Sequence, residues 1–397
     1  MNRDRRGAAW TDERGSEAQE RGGKAVPRGG LGRWVGPIPS GGSGGSSPRA
    51  NTAPTLAIVG ATGAVGTTMC EIVSTRPDIW GEVRPIASAR SAGKQVTIRG
   101  DQVTVQEITP EVFDGVDLAM FDVPDEVSAV WAPIAAERGV IVIDKSGAFR
   151  SDPQVPLVVP EVNPHAAFDR PKGIISVPNC TTLSMICVIG VLHQAYRLRE
   201  LFCASYQAAS GAGQAGVESL YDQLAATGGN RTLGQRSGDV RAAVPDSGPF
   251  QAPLAMNVIP WAGSLRPDGW NSEELKLRNE TRKILGLDDI KISATCARVP
   301  VMTGHSLALH AVFDAEVDRD EVAKLLSEAP GVKLVDRPEA GQFPMPIDVV
   351  GTDPTLVGRI RVSLDDPRAL DLFVCGDNLR KGAALNAAQI AELLVSA

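Results

Sequence analysis

The stretch Thr55-Leu56-Ala57-Ile58-Val59-Gly60-Ala61-Thr62-Gly63-Ala64-Val65-Gly66 decides how this chain is read. Thr55 to Val59 is apolar and β-branched, which predicts a buried strand. A glycine-rich turn follows at once, and a helical run continues through Val73. Glycine spacing alone is a weak signal. Set between a strand and a helix, it becomes a dinucleotide-binding hypothesis, because glycines let the backbone approach a diphosphate and the helix N-terminus receives its charge. Gly60, Thr62, Gly63, Ala64 and Val65 are the candidate cofactor contacts.

Working outward, the next strand is expected at Glu82 to Ala87, ending in Ser88-Ala89-Arg90-Ser91-Ala92-Gly93-Lys94. A site for NAD usually places an acidic residue here to hold the ribose hydroxyls. Ser88, Arg90, Ser91 and Lys94 instead suit a 2′-phosphate, so NADP is expected over NAD. Strands at 116–121 and 140–143 flank a helix at 127–138. This βα alternation implies an α/β protein with a doubly wound parallel sheet of Rossmann type. Ligands in such sheets sit beyond the carboxyl ends of the strands. Arg150, Asn179 and Cys180 all follow expected strands, so they are expected to converge there.

Cys180 lies in Ser176-Val177-Pro178-Asn179-Cys180-Thr181-Thr182, between a short apolar strand and an apolar helix running to Leu192. At a helix N-terminus the dipole and free N–H groups favour an anion, so the thiol pKa is expected to fall. Those N–H groups, with the Asn179 side chain, are expected to hold an oxyanion beside the sulfur. The plainer alternative is one more buried cysteine.

After this helix come an expected strand at 201–207, a helix around 217–227 and a long loop at 228–269. A helix at 272–285 is expected to open with Ser272 as its cap. Strands at 290–301 and 307–317 flank Thr303-Gly304-His305-Ser306, and a closing helix spans 383–395. His305 reads equally well as a turn residue; His310 reads as packing, and His165 and His193 as surface or loop.

The net charge of −7 over 397 residues argues against a general nucleic-acid or anionic-membrane binder. No apolar run approaches the length of a membrane span. The six cysteines are scattered, and Cys180 and Cys187 lie ~10.5 Å apart along one helix axis, too far for a disulfide. A reducing cytoplasm with no metal site is expected. Residues 1–53 are rich in Gly, Ser, Pro, Arg and Glu and read as a disordered tail without a secretory signal, Trp34 and Val35 being a candidate docking spot.

Several separated motifs, in order, resemble those of the aspartate-semialdehyde dehydrogenases. They are GATGAVG (Gly60–Gly66), ASARSAGK (Ala87–Lys94), SGAFR ending at Arg150 and PLVVPEVN (Pro156–Asn163). VPNCTT (Val177–Thr182), YQAASGAG (Tyr206–Gly213), EELK (Glu273–Lys276), CARVPVMTGHS (Cys296–Ser306) and DNLRKGAALN (Asp377–Asn386) follow. The resemblance spans residues 55–397. It implies a Rossmann NADP-binding domain over 54–179, an α/β catalytic and dimerisation domain over 180–375, and a C-terminal helix, 376–397, returning to the first domain.

The resemblance also implies roles. The nucleophile falls on Cys180 and the general acid/base on His305. The arginine for the substrate carboxylate falls on Arg298, and the phosphate-binding pair on Arg150 and Lys276. Gln207 matches a glutamine beside the acyl centre, and Glu273 the residue near the substrate amino group. Ser210, Gly211 and Asn378 match cofactor contacts. The implied reaction is NADP-dependent reductive dephosphorylation of aspartyl phosphate to the semialdehyde through a cysteine thioester, in a cytoplasmic homodimer. The residues are suited to it: a thiolate attacks an acyl phosphate, Arg150 and Lys276 meet the leaving phosphate, Arg298 grips a carboxylate in bidentate fashion, and His305 handles a proton. Two departures stand out. Asp122-Val123-Pro124-Asp125 replaces a common Ser-Ala-Gly-Gly, and Lys145 replaces a common Asn, bringing charge and bulk to the cofactor side. A paralogue acting on a related amino-acid acyl phosphate, or a non-catalytic binding protein on the same scaffold, are the alternatives.

Overall fold

Leu56–Val59 are all buried and form β1 in the middle of a parallel sheet. The computed structural model describes residues 53–396; residues 1–52, which carry the expected tail and its Trp34–Val35 spot, lie outside the described residues. After β1 the chain forms α1 (Ala64–Ser74), β2 (Val83–Ala87), β3 (Gln95–Ile98), β4 (Asp101–Thr104), β5 (Gln106–Glu107) and β6 (Leu118–Phe121). It continues through α2 (Asp125–Glu137), β7 (Ile141–Asp144), β8 (Ile174–Ser176) and α3 (Cys180–Tyr196). The first sheet has the order β5-β2-β1-β6-β7-β8, with every pair parallel. This is the doubly wound sheet that the alternating pattern predicts. The β3–β4 hairpin is an addition the sequence pattern does not announce.

The second half adds β9 (Leu198–Gln207), α4 (Gly213–Thr227), α5 (Asp239–Ala243), α6 (Ser272–Leu285), β10 (Lys291–Arg298) and β11 (His305–Phe313). Then come α7 (Arg319–Glu328), β12 (Val332–Leu334), α8 (Pro346–Val349), β13 (Thr355–Val362), β14 (Ala369–Gly376) and α9 (Leu385–Val395). Its sheet is mixed, in the order β10-β9-β11-β14-β13-β12. α4 begins at Gly213, earlier than the apolar pattern suggests, because the short turn at 209–212 runs straight into it.

α3 explains its own composition. It is apolar on all sides because it lies between two layers. Leu183, Ile186 and Cys187 join the core of the first sheet, while Met185, Val188, Ile189 and Leu192 join that of the second. Each such side chain, fully buried, contributes ~1.5–3 kcal/mol. α9 returns to the first sheet, packing Leu385, Ala387, Ala388, Ile390 and Ala391 into the same core as Val65 and Met69.

The cap of α6 corrects the expectation of Ser272. Asn271 is the cap: its Oδ1 accepts from Glu274 N at 3.0 Å, and Glu274 Oε2 accepts from Asn271 N at 3.0 Å. A capping box needs Glu or Gln three residues on, and only Asn271 has one.

Candidate active site

The site forms where α3 begins. β8 ends at Ser176, the chain turns through Pro178, and Asn179 caps the helix by accepting from Thr181 N at 2.9 Å. This places half-buried Cys180 at the first helical position. His305 comes from the second sheet, as the first residue of β11, after Gly304 in a left-handed turn (φ 100°). Its Nε2 lies 3.4 Å from Cys180 Sγ. The buried Ala208 N–H donates to His305 Nδ1 at 3.1 Å. Neutral His305 therefore carries its proton on Nε2 and faces the sulfur as a donor.

Burial and Arg298 pull the His305 pKa down to about 3. Burial and the Glu273 carboxylate push the Cys180 thiol above its ordinary value, and Lys145, Arg298 and Arg150 offset this only in part. The expected fall of the thiol pKa is therefore corrected: the helix terminus is present, but burial and a carboxylate outweigh it. The free site holds a neutral thiol and a neutral imidazole.

The remaining residues sort themselves by partner. Arg298, at the end of β10, donates Nη1 to Ala208 O at 2.8 Å and is buried. Gly211 lies against it, since a Cβ there would overlap Arg298 Nη1 and come within 3.0 Å of His305 Cε1. Gln207, at the end of β9, is fully buried; its Nε2 donates to Ser205 Oγ at 3.2 Å, and its Oε1 has no protein partner. Glu273 accepts from Lys276 Nζ and from Asn179 Nδ2, each at 3.0 Å. Burial opposes the charge on Glu273, yet Lys276, Arg298 and Asn179 together hold its pKa below the usual value. Asn179 Oδ1 thus caps α3, while one N–H of its Nδ2 goes to Glu273.

Glu280 is a site residue that motif reading misses. Its Oε2 accepts from Asn179 N at 2.6 Å and its Oε1 pairs with Arg150 Nη1 at 3.2 Å. The available signal is spacing: Glu273, Lys276, Glu280 and Lys283 recur at i, i+3, i+7 and i+10, one face of α6. Arg150, Lys276, Glu280, Lys283 and Arg266 line one cleft of about 620 Å³. Arg150 and Lys276 are thereby brought together as expected.

The nucleotide end fits its expected occupant. Gly60 has φ 95°, and a Cβ on it would overlap the Asp122 carbonyl oxygen; one on Gly66 would overlap Gly60 O. Gly63 caps α1 with no side chain over the first-turn amides. Thr62, Gly63 and Ala64 are exposed while Val65 packs into the core. Ser88 and Arg90 are exposed after β2, and Ser91 is tucked in by its N–H to Ser88 O at 2.8 Å. From the far end of the chain, Asn378 Nδ2 donates to Ser210 Oγ at 2.9 Å, and its Oδ1 accepts from Gly304 N at 2.9 Å. Of the other histidines, His310 pairs with Asp371 at 2.9 Å, and His193 is half-buried in the last turn of α3 rather than on a loop. The five cysteines besides Cys180 are buried, as their places within regular elements suggest.

Comparison with known proteins agrees with this geometry. Residues 55–169 match the semialdehyde dehydrogenase NAD binding domain, and 189–381 the semialdehyde dehydrogenase dimerisation domain. An aspartate-semialdehyde dehydrogenase of Corynebacterium glutamicum is 48% identical over 348 residues, covering 86% of this chain and 99% of that protein. One from Streptomyces akiyoshiensis is 46% identical over 343 residues, covering 86% and 98%. The crystal structure of aspartate semialdehyde dehydrogenase II from Vibrio cholerae, complexed with ASA, superposes with a TM-score of 0.81 at 38% identity, covering 87% of this chain and 99% of that one. With its glycine turn, and with its α3 cysteine 3.4 Å from its β11 histidine, the chain belongs to the aspartate-semialdehyde dehydrogenase family.

Proposed function

We propose that this enzyme reduces L-aspartyl 4-phosphate to L-aspartate 4-semialdehyde, releasing phosphate, with NADP as cofactor and a thioester on Cys180. The observation that carries the reading is the Cys180 Sγ to His305 Nε2 approach of 3.4 Å, next to Asn179, whose N–H donates to the Glu280 carboxylate that pairs with Arg150. The Cys180 sulfur attacks the acyl carbon as the carbon–oxygen bond to phosphate breaks, and the thiol proton departs with the phosphate. Arg150 and Lys276 take the leaving phosphate, whose charge they match. Arg298 holds the α-carboxylate, and Glu273 the amino group. A bound NADPH would supply the hydride for reduction of the thioester carbon. The Nε2–H of His305 holds the oxygen as charge develops on it, and the sulfur leaves as the aldehyde forms. Gln207, with a buried Oε1 lacking a protein partner, stands beside the acyl centre as a positioning residue.

In the same reading, 54–179 bind the cofactor, 180–375 carry catalysis and dimerisation, and 376–397 close back on the first domain. Ser210, Gly211 and Asn378 take the nicotinamide end, and Arg90 with Ser88 and Ser91 the 2′-phosphate. The matched dimerisation domain and the exposed Phe202 and Tyr206 on β9 support a homodimer. No described helix is long and apolar enough to cross a membrane, and six free cysteines suit a cytoplasmic setting.

The test is turnover with semialdehyde, phosphate and either NADP or NAD, with intact-protein mass spectrometry when phosphate is omitted. Turnover with a covalent adduct on the Cys180 peptide is expected. An adduct on another cysteine, or full activity in Cys180→Ser, refutes the mechanism; preferential turnover of a different amino-acid semialdehyde favours the paralogue.

A further inference from the structure

β6 and β7 pair in register, Phe121 opposite Asp144, so Asp122 and Lys145 leave the sheet side by side. Lys145 N donates to Phe121 O at 3.0 Å, which fixes the two backbones. Lys145 Nζ then donates to Asp122 Oδ1 at 2.9 Å. The other carboxylate oxygen, Oδ2, faces the glycine turn: a Cβ built on Gly63 would lie 3.6 Å from it. The side chains of Lys145 and Asp122 are 28% and 15% exposed, so a ligand can reach the pair.

A carboxylate beside this turn opposes its expected use. The turn is shaped for an anionic diphosphate, and a like charge at close range repels it. The ammonium on Oδ1 removes that repulsion and leaves Lys145 with two further N–H donors. Lys145 also reaches the rest of the site, because Arg150 Nη2 donates to its carbonyl oxygen at 2.6 Å.

We propose that Lys145 and Asp122 are a compensated pair that sets dinucleotide affinity: Lys145 neutralises the carboxylate over the glycine turn and presents a cation to the diphosphate. The inference rests on the reading that the turn binds NADP. It makes the two sequence departures one coupled feature.

The test is a double-mutant cycle read as NADP binding by calorimetry, independent of turnover. Lys145→Met leaves Asp122 uncompensated and weakens NADP binding by about tenfold or more. Asp122→Asn alone holds or improves affinity. The double variant recovers most of the loss, to within about threefold of the wild type, while Lys145→Arg stays close to it. Recovery in the double variant also shows that Lys145→Met had not lost affinity through misfolding. A double variant as weak as Lys145→Met, or wild-type affinity in Lys145→Met, overturns the proposal. So does a Lys145→Met variant that binds NADP normally but shows a raised KM for phosphate, which would assign Lys145 to phosphate instead. A wild-type protein binding neither NADP nor NAD overturns the dinucleotide reading and this inference with it. Binding without coupling overturns the inference alone.

Discussion

Titration of Cys180 separates two pictures of the resting enzyme. If a helix terminus and an imidazolium created a thiolate, alkylation would plateau below pH 7. The structure points the other way. Burial and Glu273 raise the thiol pKa above its ordinary 9.0, and His305 is held neutral with a pKa near 3. At pH 7 the thiolate fraction is then below about one in a hundred, and alkylation climbs about tenfold per pH unit to pH 9. The perturbation that tests the cause is Glu273→Gln, which removes the carboxylate and keeps the side chain's shape. It lowers the thiol pKa, so alkylation at pH 7 rises. The assay is iodoacetamide modification followed on the Cys180 peptide by mass spectrometry. Cys187 and Cys203, buried and pushed up to about 12, serve as internal controls that stay unmodified. A wild-type plateau with a midpoint below pH 7, or no change in Glu273→Gln, would refute the reasoning.

Four further outcomes are expected. His305→Ala lowers turnover by about 10²–10⁴-fold while still forming the Cys180 adduct, seen by intact mass; loss of the adduct would place His305 earlier in the reaction. Arg90→Ala weakens NADP binding by about tenfold and leaves NAD binding unchanged, measured by calorimetry. Lys381→Met strands Glu161, which accepts from Lys381 Nζ at 2.7 Å in a nearly dry pocket, and costs about 3–5 kcal/mol in urea unfolding, whereas Lys381→Met with Glu161→Met costs much less. The folded His305 pKa lies below its unfolded value of 6.5, so the unfolded state takes up more protons between pH 6.5 and 3 and stability falls as pH drops through that window. His305→Asn removes this contribution, and its urea midpoint therefore falls less between pH 6.5 and 4.5.

What the sequence reveals here is what local pattern encodes. Leu56–Gly66 is strand, turn and helix within one short stretch, and Cys180 follows a strand and opens an apolar helix; both are legible from neighbours along the chain. Asn271 was legible too, since Glu274 stands three residues after it. Glu280 was not, because its partners Arg150 and Asn179 are 130 and 101 residues away and meet it only through α6 packing. The thiol's titration was misread for the same reason. Helix position is local, whereas the burial and the Glu273 carboxylate that outweigh it come from the fold. The Asp122–Lys145 pair shows the same limit: each residue stood out alone, and only adjacent strands reveal them as one device.

The return of α9 has a consequence for how the enzyme comes into being. Arg76 pairs with Glu392, 316 residues further along, and α9 fills the core against α1. The first sheet is synthesised early, yet the apolar surface of α1 waits about three hundred residues before its cover arrives. Asn378, which joins Ser210 to Gly304, is equally late. The emerging polypeptide therefore carries an uncovered, aggregation-prone surface until α9 is made, and contacts of such long sequence separation make that closure slow. Closure of the first core and placement of Asn378 are a single late event.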